Sequence, residues 1–126
     1  MFKIENNNMY LNRGDSAIIR IENETSTFEV GDIVKFSIMK RNNCNLVLFQ
    51  KTYTVEDELE DNRVFEISLT PDDSKSFCPS IKTNFQTFWY EIELQSGDVI
   101  NTLLGYDENG PKEFVVYPEA ASEEEK

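Results

Sequence analysis

The fold class of this chain is decided by Met9-Tyr10-Leu11-Asn12-Arg13-Gly14-Asp15-Ser16 and by the run Ala17–Glu22 that follows it. In the run every second residue is apolar (Ala17, Ile19, Ile21), which is the pattern of a strand buried on one face. Glycine adopts a positive φ at little cost, so Arg13-Gly14-Asp15 predicts a tight turn between two strands. An all-β domain is therefore expected to begin close to residue 1.

The rest of the chain continues this series of strands and turns. Strands are predicted at Phe2–Glu5, Met9–Asn12, Ala17–Glu22, Ile33–Lys40, Leu46–Thr54, Val64–Leu69, Gln86–Gln95, Val99–Leu104 and Phe114–Tyr117. Leu46–Thr54 is apolar on both faces at its start, which predicts a central strand. Seven to nine strands at this spacing predict an antiparallel β-sandwich.

One short helix interrupts the strands. Thr70 is a residue that caps helices, Pro71 suits the first helical position, and Asp73 can reach back to the amide of the cap. Pro79 cannot continue a helix, so the segment is predicted to be helical at Pro71–Phe77 and to form a crossover within the sandwich.

Length and charge limit the class of protein. A chain of 126 residues is expected to form one domain, at residues 1–118, followed by an acidic disordered tail at residues 119–126. The 24 acidic residues outnumber the 12 basic ones, so binding to nucleic acid or to an anionic membrane is not expected. No apolar run approaches the ~20 residues that cross a bilayer. The N-terminal residues lack the apolar stretch of a signal peptide, which predicts synthesis in a cytoplasm.

Residue chemistry does not predict an enzyme. The chain has no histidine, which excludes the Ser-His-Asp and Cys-His arrangements and any imidazole ligand for zinc. Cys44 and Cys78 are isolated thiols and are expected to be reduced, although the sequence leaves their pairing open. No glycine-rich phosphate loop occurs. No catalytic residue, cofactor or metal ligand is therefore predicted.

Three weaker signals each have a functional and a structural interpretation. The acids of Glu56–Asn62 and Asp107–Asn109 could ligate calcium, but neither run has EF-hand spacing, and solvated loops are the favoured interpretation. Arg13-Gly14-Asp15 matches the integrin-binding tripeptide, but a turn is favoured. Trp89 lies opposite the apolar stripe Phe88, Tyr90, Ile92 and Leu94, so it either marks a contact surface or packs beneath a loop.

The order of several short motifs carries a resemblance to a known family. The motifs are Phe2-Lys3-Ile4-Glu5, Tyr10-Leu11-Asn12-Arg13-Gly14-Asp15, Gly31-Asp32-Ile33-Val34-Lys35-Phe36-Ser37-Ile38, Leu69-Thr70-Pro71-Asp72-Asp73, Phe88-Trp89-Tyr90-Glu91-Ile92-Glu93-Leu94 and Gly97-Asp98-Val99. In this order they resemble the small β-domain of tail and baseplate proteins from phages and prophages of Gram-positive bacteria. The chain is similar to the N-terminal domain of the baseplate upper protein family over about residues 2–117.

The resemblance implies a fold and a function. It implies an immunoglobulin-like sandwich that acts as a non-enzymatic virion structural protein, made in the bacterial cytoplasm and assembled into the tail. The implied partners are other tail or baseplate proteins, with a homo-oligomer as a further possibility. Because the family's long downstream region does not follow residue 117, an adaptor is expected rather than a host-binding protein. Trp89, Tyr10 and Tyr117 are the predicted partner contacts. The alternative is a carbohydrate- or ligand-binding β-sandwich, assisted by calcium.

Overall fold

A computed structural model describes residues 1–81 and 83–119. These residues are mostly β, with 56% in strands and one short helix. The elements in chain order are β1 (Phe2–Glu5), β2 (Asn8–Asn12), β3 (Ala17–Glu22), β4 (Ile33–Lys40), β5 (Asn43–Thr54), β6 (Val64–Leu69), α1 (Pro71–Phe77), β7 (Gln86–Ser96), β8 (Val99–Leu104) and β9 (Lys112–Tyr117). The predicted strands and helix are confirmed, with ends that differ by at most three residues.

Seven of these strands form one sheet. Its order is β1-β2-β9-β7-β4-β5, and β8 also pairs with β7. The first part of β7 pairs with β9 and the second part with β8, so both partners share one edge of this long strand. The pairing of β2 with β9 is parallel. The expectation of a purely antiparallel arrangement is therefore wrong. A short hairpin joins only antiparallel strands, whereas β2 and β9 are far apart in the sequence and can pair in parallel.

The other two strands, β3 and β6, form a separate antiparallel pair. The Arg13-Gly14-Asp15 turn carries the chain from β2 in the large sheet to β3 in the small one. Gly14 has φ +88°, as predicted for this turn, and a Cβ at this position would lie 3.1 Å from Cε of Lys75. The turn thus connects two layers instead of closing a hairpin.

The core lies between the two sheets. Its most completely buried apolar side chains include Met9, Leu11, Ile19, Ile21, Val34, Phe36, Ile38, Ile67, Leu69, Tyr90, Ile92, Phe114 and Val116. At its centre the ring of Phe114 lies 6.0 Å from Phe36, 5.6 Å from Phe77 and 6.4 Å from Tyr90, measured between centroids. Period-two burial is clearest along β2, β3 and β7, which supply alternate side chains to the core.

The helix α1 covers part of the core. Its N-terminus is capped as predicted, since the Asp73 carboxylate accepts a hydrogen bond of 2.7 Å from the Thr70 amide. Phe77 in the last turn is buried, and its ring lies 5.4 Å from Phe49 and 5.2 Å from Phe88. The helix is therefore anchored by a local cap at one end and by aromatic packing at the other. No helix in the described ranges has the length and apolarity needed to cross a bilayer.

Strand β5 is at an edge of the large sheet, so the prediction of a central strand is wrong. Its apolar residues Leu46, Val47 and Leu48 are 42%, 45% and 40% exposed. A continuous apolar run is typical of a strand inside a sheet. Here β4 pairs with β7 on one edge and with β5 on the other, and none of the described strands pairs with the outer edge of β5. The run consequently remains at the surface.

Arg13 joins three parts of the fold. Its guanidinium donates to the carbonyl oxygens of Cys78 at 2.6 Å and Pro79 at 2.8 Å, and it pairs with the carboxylate of Glu119. Asp15 pairs with the N-terminal ammonium group. Both charged residues of the Arg-Gly-Asp tripeptide are thus engaged within the molecule, which agrees with the turn interpretation. Glu119 is the first residue of the predicted tail, and residues 120–126 of that tail lie outside the described residues.

Candidate functional site

The three predicted contact residues lie on the same side of the seven-stranded sheet. We call this side the outer face; it is opposite the core. Met9 and Leu11 flank Tyr10, Phe88 and Tyr90 flank Trp89, and all four flanking residues are buried in the core. Because successive side chains of a strand point to opposite sides, Tyr10 and Trp89 point outward. Tyr117 follows buried Val116 and points outward for the same reason.

Tyr10 and Tyr117 form a stacked pair on neighbouring strands. Their ring centroids are 6.5 Å apart and their planes differ by 18°. The ring of Phe85 lies 6.4 Å from Tyr117, and the Nζ of Lys3 lies 5.2 Å from the centre of the Tyr10 ring. In the parallel pairing of β2 with β9, Tyr10 is opposite Val115 and Asn12 is opposite Tyr117. The two tyrosines are therefore diagonal neighbours, a juxtaposition that local sequence patterns do not reveal.

Trp89 lies one strand further along the outer face. Its neighbours across the sheet are Met39 on β4 and Glu113 on β9. Its half-buried ring contacts Tyr106, with centroids 6.3 Å apart and planes at 77°. Tyr106 belongs to the connection between β8 and β9 and is 67% exposed. Trp89 is therefore on the outer face and is also partly covered by a connecting segment.

Tyr106 and Phe85 were missed from the sequence. Each is an aromatic residue in a polar segment outside a strand, where period-two alternation says nothing about which face it joins. An aromatic ring next to turn residues is the signal that would have suggested them, since such a ring gains little from being exposed alone. On the outer face, ring contacts join Phe85 to Tyr117 and Tyr106 to Trp89.

Ionised groups border these aromatic residues. Lys35 lies 3.5 Å from the carboxylate of Glu93, and Arg41 lies 3.6 Å from that of Glu113. Partial burial raises the pKa of Glu91, and the neighbouring carboxyl of Glu93 raises it further through a shared hydrogen bond and charge repulsion. Lys35 opposes this shift. The outer face thus combines half-buried rings with closely spaced carboxylates.

This carboxylate pair predicts a pH dependence of stability. The pKa of Glu91 is raised above its ordinary value of 4.5, so the folded protein binds this proton more tightly than the unfolded chain does. Stability from this group is present at low pH and is lost as the pH rises from about 4.5 through the raised pKa. We expect Glu91→Gln to gain stability relative to the wild type over that rise, measured by urea unfolding between pH 4.5 and 7.5. Glu58→Gln, which removes a charge from the exposed link, is the control; equal profiles for both variants would contradict the prediction.

Other clusters do not form a comparable site. Glu56, Asp57 and Glu58 line a groove of about 500 Å³ with Glu29 and exposed Val30. Asp107 is held by the Nζ of Lys112 at 2.8 Å, and this hydrogen bond lowers its pKa. Within residues 1–81 and 83–119, no group of three or more Cys, Asp or Glu residues is placed to hold a metal ion. Cys44 and Cys78 are both free, the first exposed and the second buried.

Comparison with known proteins adds no family to this description. No family model matches the chain, and a search of the curated proteins finds no match. A functional assignment therefore rests on the geometry of the outer face and on the order of the sequence motifs.

Proposed function

We propose that this chain is a non-enzymatic attachment module of a phage or prophage tail or baseplate, and that it binds other tail proteins through the outer face of its large sheet. The observation that carries the proposal is the placement of Tyr10, Tyr117 and Trp89 on one face, over which the described strands form no second sheet. Tyrosine and tryptophan are enriched among the residues that dominate protein interfaces, because they bury a large area and lose little side-chain entropy.

The resemblance in motif order supports the assignment to a tail. The motifs coincide with structural features: Gly31-Asp32 precedes β4, Leu69-Thr70-Pro71 contains the start of α1, and Gly97-Asp98 is the turn between β7 and β8. The mostly β structure, with one seven-stranded and one two-stranded sheet, agrees with the all-β class that the resemblance implies. The immunoglobulin-like strand topology of that family remains part of the proposal.

Charge indicates the chemistry of the partner. The chain has a net charge of −12, and Glu91, Glu93 and Glu113 border the aromatic residues. A basic rim around an apolar or aromatic patch on the partner would complement this face and speed the encounter. In a tail, repeated copies of each subunit add avidity, so that each individual contact can be weak.

Binding measurements test this function. A tagged chain is expressed with each protein encoded next to it in its phage or prophage, and affinity is measured by calorimetry for any protein that co-elutes. We expect Tyr10→Ala and Trp89→Ala each to weaken binding at least about tenfold. Ile18→Ala is the matched control, because Ile18 is exposed on β3 in the small sheet. Full affinity in both outer-face variants, or no tail protein bound, would overturn the proposal.

A second test locates the protein in particles. Antibody against the chain should label one end of the tail in particles released after prophage induction. A glycan array with and without calcium is the companion measurement. Glycan binding accompanied by a higher melting temperature, together with unlabelled particles, would replace the proposal by the ligand-binding alternative.

A further inference from the structure

The hairpin between β4 and β5 contains a bulge near its turn, where the register of the two strands shifts. Lys40 pairs with Asn43 and Met39 pairs with Val47, so the residues Cys44, Asn45 and Leu46 have no partner on β4. We call residues 44–48 the β5 tip. Bulges on edge strands usually bend the edge away from other chains or carry charge. The β5 tip instead presents the apolar side chains of Leu46, Val47 and Leu48 to solvent, and each is at least 40% exposed.

A groove adjoins the β5 tip. It has a volume of about 410 Å³, and its apolar lining comes from Leu48, Phe85 and Phe88. Phe88 is 5% exposed, whereas Phe85 is 52% exposed. Gln86 and Thr87 add polar groups to the lining. Leu48 belongs both to the tip and to the groove lining, so an apolar projection and a partly apolar recess lie side by side.

Acidic residues are absent from β5 and from the groove lining, as far as the structure describes the chain. In the whole chain, 24 of the 126 residues are acidic. Lys40 and Arg41 stand at the groove. Arg41 pairs with Glu113 at the border of this surface, at 3.6 Å. Two copies of a protein with net charge −12 repel each other over most approaches. The repulsion is smallest where the contacting surfaces themselves carry no acidic residue.

We propose that two copies of this chain associate about a two-fold axis next to Leu48, with the β5 tip of each copy in the groove of the other. A projection and a recess that adjoin on one surface are self-complementary under a two-fold rotation, which is the commonest symmetry of protein dimers. The apolar patch is small beside the ~800 Å² per partner of a standard interface. The dimer is accordingly weak, with a dissociation constant in the micromolar range or above.

Sedimentation equilibrium over a concentration series tests the dimer. The wild type is expected to shift from monomer to dimer, and to do so at lower concentration in high salt, because salt screens the repulsion between the two acidic bodies. Val47→Glu is expected to raise the dissociation constant at least about tenfold. Ile18→Glu adds the same charge at a residue 65% exposed on the small sheet and is expected to leave dimerisation close to that of the wild type.

The two cysteines supply a second measurement that does not depend on a variant staying folded. Cys44 is exposed within the β5 tip, and Cys78 is buried. A short bis-maleimide should therefore join two copies through Cys44, and Cys44→Ser should abolish the product. A monomer at every concentration, equal weakening by Val47→Glu and Ile18→Glu, or no cross-link at concentrations where the dimer forms would overturn the proposal. Binding of an acidic peptide to a monomer would assign the groove to another protein.

Discussion

Replacing Phe114 by alanine is expected to lower the free energy of unfolding by about 3–5 kcal/mol, the usual range for deleting a buried aromatic ring. Phe114 has no exposed surface and contacts the rings of Phe36, Phe77 and Tyr90. These contacts join β9 to β4, α1 and β7, so the cavity left by alanine cannot close by moving one side chain. The free energy of unfolding of a native domain is about 5–15 kcal/mol in total, so the variant should retain little stability.

Urea unfolding followed by the fluorescence of Trp89 measures this loss. Phe85→Ala is the matched control, since it deletes the same ring from a position that is 52% exposed, and a change below about 1 kcal/mol is expected. Phe114→Leu should fall between the two variants. A loss of less than about 1 kcal/mol for Phe114→Ala would mean that the rings are not packed around this residue.

Replacing Arg13 by alanine is expected to cost about 2–4 kcal/mol, because hydrogen bonds to charged groups contribute about 1.5–3 kcal/mol each and are not additive. The Arg13 guanidinium donates to the carbonyl oxygens of Cys78 and Pro79 and pairs with Glu119, while its side chain is 18% exposed. Removing it leaves two carbonyl groups and a carboxylate without their donor. The turn between the sheets, the end of α1 and the segment after β9 would all lose a shared anchor.

Arg13→Lys separates geometry from charge. Lysine keeps the positive charge but lacks the planar fork of donors, so it should recover less than half of the loss. Arg20→Ala, on the exposed side of β3, is the control and should change the unfolding free energy by no more than about 0.5 kcal/mol. Full stability in Arg13→Ala would contradict the role given to these contacts. Full recovery by lysine would show that charge alone is needed.

The sequence predicted those parts of the fold that short-range rules control. The helix Pro71–Phe77 has its predicted bounds because a cap, a proline and an acid at fixed spacing act within one turn. β3 and β7 follow period-two burial. The turn at Gly14 follows from the backbone freedom of glycine. In each case the deciding interaction lies within a few residues.

Features that depend on distant partners were not predictable in this way. The apolar start of β5 resembles a central strand, and only the position of β7 shows that it is an edge. The parallel pairing of β2 with β9, which brings Tyr10 close to Tyr117, joins strands that are far apart in the sequence. The outward direction of Trp89 followed from its strand, but its contact with Tyr106 did not. The sequence thus named individual candidate residues, but it did not predict that they share one face of the sheet or which rings they contact.

The pairing of β2 with β9 also constrains when the protein can fold. Met9 pairs with Phe114, so β2 has to wait for a strand that lies far behind it in the sequence. In the sheet, β9 lies between β2 and β7 and pairs with both. Until β9 is synthesised, these two strands have unpaired edges. Such distant contacts are slow to form, because a long loop has to close before any of them contributes. The large sheet therefore cannot be completed before β9 has left the ribosome, and until then the aromatic core residues of the earlier strands lack the packing that Phe114 supplies.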